Sequence, residues 1–118
     1  MLELGHKKLE VWQLSKTFVI LIYKVTAGFP KEELYGITNQ LRRAAVSIAS
    51  NIAEGASRSS TRDRRRYYEI ARSSLVEIDT QLEICKVLNY LSADDAQDLS
   101  DKLNELFAKV SNLVRSTR

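Results

Sequence analysis

The sequence predicts an all-α protein built as an up-down-up-down antiparallel bundle of four helices. Of its 118 residues, 44% are hydrophobic and 28% are charged, and only four are Gly and one is Pro. Apolar residues recur every three or four positions in four successive stretches, and no alternating β pattern or internal repeat competes. No linker-like stretch divides the chain, so residues 1–118 are expected to form a single domain.

The first helix is expected from about Lys8 to Ala27, because Gly28 and Pro30 then end it. Its apolar residues surround the helix, since the run from Phe18 to Tyr23 points in every direction at about 100° per residue. We therefore expect the outer face of this helix to contact another subunit of a homo-oligomer. The alternative is that these are isolated exposed aliphatic residues. Expected core positions are Trp12, Val19, Ile22 and Thr26, and expected intersubunit positions are Val11, Leu14, Phe18 and Leu21.

The second helix is expected over about Glu33 to Glu54, with Gly55 as a left-handed C-terminal cap. The third follows a Ser-rich connection, where Ser60 and Asp63 resemble a capping box. The fourth opens at Ser92, whose hydroxyl can cap the free amides of its first turn. Expected core positions are Ile37, Leu41, Ala44, Ile48 and Ile52 in the second helix; Tyr67, Ala71, Leu75, Ile78, Leu82 and Cys85 in the third; and Leu99, Leu103, Leu106, Val110 and Leu113 in the fourth.

Cysteine content and hydropathy point to a cytoplasmic protein with no membrane contact. The lone Cys85 excludes an intrachain disulfide and suits a reducing compartment. Residues 1–9 lack the apolar segment of a signal peptide. The longest apolar run, Phe18 to Tyr23, is far shorter than the roughly 20 residues that a membrane helix requires.

The residues that usually carry catalysis are scarce. The chain has one His, His6, and Cys85 lies on a core stripe where burial would raise the thiol pKa and suppress its reactivity. It has no Gly-rich phosphate loop and no His and Glu at metal-ligand spacing. We expect no enzymatic activity, no cofactor and no metal. The remaining alternative is a site at a subunit interface around Arg43, Glu54, Arg72 and Glu77.

A polar stripe follows one face of the second helix at spacings of four, four and three residues. Small residues flank it, so another helix can approach closely, and the third helix offers polar partners. Two interpretations are open: a structural or intersubunit polar network that fixes register, and a pocket for a small anion. The stripe is Arg43, Ser47, Asn51 and Glu54, and the candidate partners are Glu69, Arg72, Ser73 and Glu77.

An arginine cluster stands at the start of the third helix, where cations oppose the helix dipole by about 0.3 to 1 kcal/mol each. Helix stability therefore does not account for it, whereas phosphate binding to guanidinium groups and backbone amides would. Tyr67 and Tyr68 would add stacking faces. The alternative is a solvated face, or one paired with acids of this chain or of a protein partner, such as the five acids between Asp94 and Glu105. The candidate nucleic-acid residues are Arg58, Arg62, Arg64, Arg65 and Arg66.

Several segments together resemble a known family. They are Leu9-Glu10-Val11-Trp12, Phe29-Pro30-Lys31-Glu32-Glu33, Gln40 to Ile48, Asn51-Ile52-Ala53-Glu54-Gly55, and Glu69 to Leu75 with Glu77. Over nearly the whole chain they resemble the four-helix bundle proteins encoded in intervening sequences of bacterial 23S ribosomal RNA genes. Ala49 and Ser73 depart from that pattern, which often has Pro and Gly there, and the first departure should leave the second helix straighter.

The resemblance implies an up-down bundle that assembles as a ring, typically a homopentamer, with no known enzymatic activity and no settled role. The family is also similar in fold to the accessory subunit of diversity-generating retroelements, a basic pentamer that engages a reverse transcriptase and nucleic acid. Two functional hypotheses follow. In one, the protein binds RNA without reading sequence through its arginine cluster; in the other, it is a protein-interaction scaffold or accessory factor.

Overall fold

The structure is a computed structural model that describes residues 1–117, with the side chains of His6 and Lys8 left out. Four α-helices make up most of it: α1 Glu10–Thr26, α2 Ile37–Ser57, α3 Thr61–Val87 and α4 Ala93–Ser116. Two short 3-10 turns, Gly5–Lys8 and Lys31–Glu33, precede α1 and α2. No strand occurs within residues 1–117. The predicted all-α class with four helices is confirmed.

The helices enclose one central core. Helix α1 packs on α2 and α4, and α3 packs on the same two helices. An exposed ion pair between Glu10 and Lys109 also joins α1 to α4, with 3.3 Å between Oε1 and Nζ. The largest fully buried side chains come from all four helices: Phe18, Ile22, Leu41, Ile48, Ile52, Leu75, Ile78, Leu99, Leu106 and Val110.

The buried face of α1 differs from the prediction. It consists of Val11, Ser15, Phe18, Ile22 and Thr26. The predicted outward positions Val11 and Phe18 are therefore in the core of the single chain, and Leu14 and Leu21 are half-buried. The predicted core positions Trp12 and Val19 are only half-buried. A helix apolar on all sides carries several possible core stripes, so spacing alone could not select the right one.

Helix α2 presents the predicted core face, since Leu41, Ala44, Ile48 and Ile52 are buried. It begins at Ile37, after the turn Lys31–Glu33, and continues past Gly55 to Ser57. The prediction that Gly55 is a left-handed cap is wrong, because no described glycine has a positive φ. Gly55 is instead buried inside the helix, against α3.

Helices α3 and α4 begin at the predicted caps. The hydroxyl of Ser60 accepts a hydrogen bond from the amide of Asp63, and Ser92 accepts one from Asp95, each at 3.1 Å. The predicted core positions from Ala71 to Cys85 and from Leu99 to Val110 are buried. Two predictions are one residue off: Tyr68 is buried rather than Tyr67, and Val114 rather than Leu113.

Candidate nucleic-acid interface

The arginine cluster surrounds the connection between α2 and α3. Arg58 forms an ion pair with Glu54, with 3.0 Å between Nη2 and Oε2, and donates a hydrogen bond of 2.9 Å to the Tyr67 hydroxyl. The guanidinium groups of Arg58 and Arg66 each lie 4.9 Å from the centroid of the Tyr67 ring. Cation–π contacts of this kind hold both guanidinium groups at the ring.

Arg64 has a different environment from its neighbours. Its guanidinium donates hydrogen bonds to the carbonyl oxygens of Arg58 and Ser59, at 3.1 and 2.9 Å, and to the hydroxyl of Thr61 at 3.0 Å. These bonds close the connection between the two helices and leave the residue half-buried. We therefore assign Arg64 to the loop structure rather than to a ligand surface.

Arg62, Arg65 and Arg66 are exposed and line one surface groove of about 480 Å³. Arg65 meets Glu69 in an exposed ion pair, with 3.2 Å between Nε and Oε1. A pair of this type within one helix contributes only about 0.3–0.5 kcal/mol, so an incoming anion can displace it. The full lining of this groove, called the rim groove below, is Thr61, Arg62, Arg65, Arg66, Glu69 and Thr117.

A second groove adjoins the first, between the outer sides of α3 and α4. Here Arg72 donates a hydrogen bond of 2.9 Å from Nε to the Ser111 hydroxyl, and its guanidinium lies 4.7 Å from the centroid of the Phe107 ring. The sequence prediction placed Arg72 with the polar stripe of α2, but it contacts α4. The lining of this groove, called the seam groove, is Glu69, Arg72, Ser73, Ser111, Val114 and Arg115.

The predicted polar stripe forms only a small part of the expected network. The Asn51 amide donates to the carbonyl and to the hydroxyl oxygen of Ser47, at 2.8 and 2.9 Å. The hydroxyls of Ser47 and Ser74 lie 3.1 Å apart and link α2 to α3. Ser74 is buried. The sequence did not reveal its contact with Ser47, because its spacing from Ile70 and Ala71 gives no signal of a polar contact.

The remaining residues of the predicted network are exposed or have other partners. Arg43 is exposed, Glu54 pairs with Arg58 just after α2, and Glu69 pairs with Arg65 of its own helix. Glu77 accepts a hydrogen bond of 3.2 Å from the amide of Gln81. Arg43, Glu54, Arg72 and Glu77 therefore do not converge on one site, and the stripe is not a single network within the described chain.

Neither tyrosine offers an open stacking face of the kind predicted. Tyr68 is only 4% exposed and packs against Gly55, and burial raises its phenol pKa while the nearby Arg64 lowers it. Tyr67 is half-buried and contacts Arg58 and Arg66. The two tyrosines therefore pack beside the arginine cluster instead of presenting open ring faces to a ligand.

The thiol of Cys85 is fully buried, as the sequence predicted. Burial, with a smaller contribution from the negative charge of Glu33, raises its pKa to about 11. A thiol with this pKa is almost entirely protonated near neutral pH and is a poor nucleophile.

Over the residues described, no three His, Cys, Asp or Glu side chains are placed to hold a metal ion together, and the side chain of His6 lies outside that set. None of the helices in residues 1–117 has the length and apolar character needed to cross a membrane.

Fold and surface together define a small four-helix protein with a basic outer groove at one end. The chain belongs to the family of 23S rRNA-intervening sequence proteins, whose model matches residues 7–112. The match includes all of the arginine cluster and the four helices except the last turn of α4.

A solved structure supports the fold. The chain is similar to the crystal structure of a protein with unknown function from the S23 ribosomal protein family of Bacteroides thetaiotaomicron VPI-5482, with a TM-score of 0.79 and 20% sequence identity. The similarity covers 88% of this chain and 97% of that one. Among curated proteins there is no significant match. At this level of identity the similarity establishes the fold alone.

Proposed function

We propose that this protein is a non-enzymatic RNA-associated protein whose rim groove contacts phosphates without reading base sequence. The observation that carries the proposal is the position of Arg62, Arg65 and Arg66. All three are exposed; Arg62 stands in the first turn of α3, where the helix dipole disfavours a cation by about 0.3–1 kcal/mol, and Arg65 and Arg66 follow in the second turn. An external polyanion would convert this cost into a favourable interaction, because phosphate oxygens accept bidentate hydrogen bonds from guanidinium groups.

We further propose that the helices alternate in direction and that the protein works as a ring-like homo-oligomer. Alternation is supported by contacts between the end of one helix and the start of the next, such as Tyr23 with Arg42 and Gly55 with Tyr68. Oligomerisation, with a pentamer expected from the family resemblance, is supported by exposed apolar side chains on α1 and α2. A ring would place several copies of the rim groove side by side and increase the strength of RNA binding.

Salt-dependent RNA binding tests the proposal. The parent and the variant Arg62→Glu, Arg65→Glu, Arg66→Glu are titrated with a fluorescent single-stranded oligouridylate at several salt concentrations. The parent should bind at low salt with an affinity that falls steeply as salt rises, because each neutralised phosphate releases counterions. The triple variant should lose this binding. Equal binding by both proteins, or no binding by the parent at low salt, would rule the proposal out.

A protein-interaction scaffold is the second candidate. Arg58 and Arg65 already pair with the carboxylates of Glu54 and Glu69, so the same surface also suits an acidic protein partner. An acidic polypeptide such as polyglutamate, titrated at the same salt concentrations, separates the two. If it binds the parent more tightly than RNA does, the scaffold role is favoured and the RNA role fails. In either role we expect a cytoplasmic protein with no cofactor.

A further inference from the structure

We propose that the RNA-binding surface does not end at the rim groove but continues along the seam groove, where Arg72 and Arg115 bind the RNA backbone. This inference rests on the proposed function and deepens it, because it gives the bound strand a path on the molecule. The path leads away from the α2–α3 connection and follows the outer boundary of α3 and α4.

The two grooves adjoin, because Glu69 is in the lining of both, and together they are called the channel below. Arg62, Arg65, Glu69 and Arg72 follow one another at three, four and three residues, so they lie along one side of α3. At about 1.5 Å per residue, the distance from Arg62 to Arg72 along the helix is about 15 Å. This length fits a short stretch of an extended strand, with room for two or three phosphates.

Arg72 is held in place before any ligand arrives. The hydrogen bond to Ser111 and the contact with the Phe107 ring fix its guanidinium, although the residue stays exposed. A guanidinium fixed in this way loses less conformational entropy on binding a phosphate than a mobile one does. On the other side of the seam groove stands Arg115 of α4, which also hydrogen-bonds Asn112.

The groove linings also supply neutral donors. Thr61 and Thr117 line the rim groove, and Ser73 and Ser111 line the seam groove. Hydroxyl groups donate to phosphate oxygens and can bond the 2′-hydroxyl of a ribose. A channel lined by guanidinium and hydroxyl groups, with no exposed aromatic ring among its lining residues, fits the sugar-phosphate backbone better than it fits bases.

Among the described residues, Glu69 is the one carboxylate that lines either groove, and it has a definite role in this proposal. It pairs with Arg65 while the channel is empty, and its charge repels a phosphate backbone in the middle of the path. Removing this charge should therefore strengthen RNA binding, which is opposite to the effect of removing an arginine. A surface that does not contact RNA would show neither effect.

The test uses the full-length protein and a fluorescent single-stranded oligouridylate, with an RNA duplex of the same length as a second probe. The variant Arg72→Gln, Arg115→Gln should bind the single strand more weakly. Its slope of log affinity against log salt should be shallower by about 1.4, since each phosphate contact on a single strand contributes about 0.7. Glu69→Gln should bind several-fold more tightly than the parent. The duplex, whose backbone is held in a rigid A-form helix and cannot adapt to the groove walls, should bind more weakly than the single strand.

A matched control carries the same loss of charge at the other end of the bundle. Lys24→Gln, Lys86→Gln removes two exposed cations near the ends of α1 and α3 and should leave the slope unchanged. The variant Arg72→Gln, Arg115→Gln could keep the parent's affinity and slope while the triple rim variant loses binding. In that case the seam groove does not bind RNA, and the proposed function stands. If the control weakens binding equally, total charge rather than a path is responsible, and the inference also fails.

Folding is checked separately because Arg72 contacts α4. Far-ultraviolet circular dichroism and thermal unfolding identify a variant that no longer folds. In that case the test uses Arg115→Gln and Glu69→Gln, which are exposed changes on different helices. The first should weaken RNA binding and the second should strengthen it. If these two variants change the affinity in the same direction, or neither changes it, the proposed path is wrong.

Discussion

Gly55 lies where α2 packs against the Tyr68 ring of α3. A Cβ atom built there would lie 2.6 Å from Cε1 and 2.9 Å from Cδ1 of Tyr68, and 3.1 Å from the carbonyl oxygen of Arg64. The Gly is needed for packing rather than for backbone conformation. Because Gly55 leaves room for the Tyr68 ring, Tyr68 rather than Tyr67 is the buried tyrosine of α3.

We expect Gly55→Ala to lower the free energy of unfolding by about 1–3 kcal/mol, because the added methyl group overpacks the contact. The gain in helix propensity, about 1 kcal/mol, has the opposite sign and is the smaller effect. Urea denaturation followed by circular dichroism measures the difference. Gly5→Ala serves as the control, since a Cβ there would meet nothing within 4 Å. A stabilised Gly55→Ala protein would contradict the packing role.

The buried thiol of Cys85 gives a pH dependence of stability. Its pKa is raised from 9.0 to about 11, chiefly by burial. In the unfolded chain the thiol ionises at its ordinary pKa, so above about pH 9 the unfolded state binds fewer protons than the folded one. The stabilisation is complete below that pH and is lost as the pH rises towards 11, by at most about 1.4 kcal/mol per pH unit.

Comparison with Cys85→Ala isolates this contribution, because both proteins share all other titrating groups. The free energy of unfolding of each protein is measured by urea denaturation at a series of pH values. Between about pH 9 and 11 the parent should lose more stability than the variant. Two parallel pH profiles would show that the thiol ionises equally easily in both states.

At the scale of the helices, the end of α3 depends on one residue in the left-handed conformation. Asn89 has a φ of 61° and follows the last turn of α3. The amide of Tyr90 donates to the carbonyl of Cys85, and the amide of Asn89 to that of Lys86, each at 3.0 Å. This is the Schellman arrangement that ends many helices. It turns the chain towards α4.

We expect Asn89→Ala to lower the free energy of unfolding by about 1 kcal/mol, because a Cβ-bearing residue without a polar side chain is strained in the left-handed region. Asn89→Gly should remain close to the parent. Lys86→Ala, an exposed change in the last turn of α3 with ordinary helical geometry, is the matched control. Thermal unfolding compares the three variants, and an Asn89→Ala protein as stable as the control would refute the strain.

The starts of α3 and α4 were predictable because Ser60 and Ser92 act locally. Each hydroxyl bonds an amide three residues later, and both partners are close in sequence. The start of α2 was predicted too early, at about Glu33. The chain instead forms a 3-10 turn at Lys31–Glu33 and begins α2 at Ile37.

At the scale of the whole molecule, the exposed apolar side chains include two groups that mark two surfaces. One group, on α1 and α2, is Ile20, 65% exposed, Tyr23 and Val46; the other, at the end of α3 and just after it, is Ile84, Val87 and Leu88. Neither surface lines the rim or seam groove. A closed ring requires contacts between two different surfaces of each subunit, and these two surfaces suit that requirement.

We expect sedimentation velocity at micromolar concentration to show an oligomer for the parent and a monomer for Ile20→Glu, Val46→Glu. Two buried charges at a subunit interface would cost more than the interface gains. Thr17→Glu, an exposed polar position of α1, is the control and should keep the oligomer. A parent that sediments as a single chain would remove the ring from the proposed function.

The sequence by itself determined the helical class, most of the core and the two serine caps. It also located the arginine cluster and the buried thiol. These features depend on spacing within a helix and on contacts between residues near each other in the chain, and both can be read from the order of residues.

The tertiary structure decided which face of α1 is buried, which tyrosine packs on Gly55, and that Arg72 meets Ser111 and Phe107 of α4. It also separated Arg64, which closes a loop, from the arginines that line the grooves. The physical reason is that these outcomes depend on which surfaces of neighbouring helices fit together. That fit is set by the packing of all four helices at once, and no single stretch of sequence contains it.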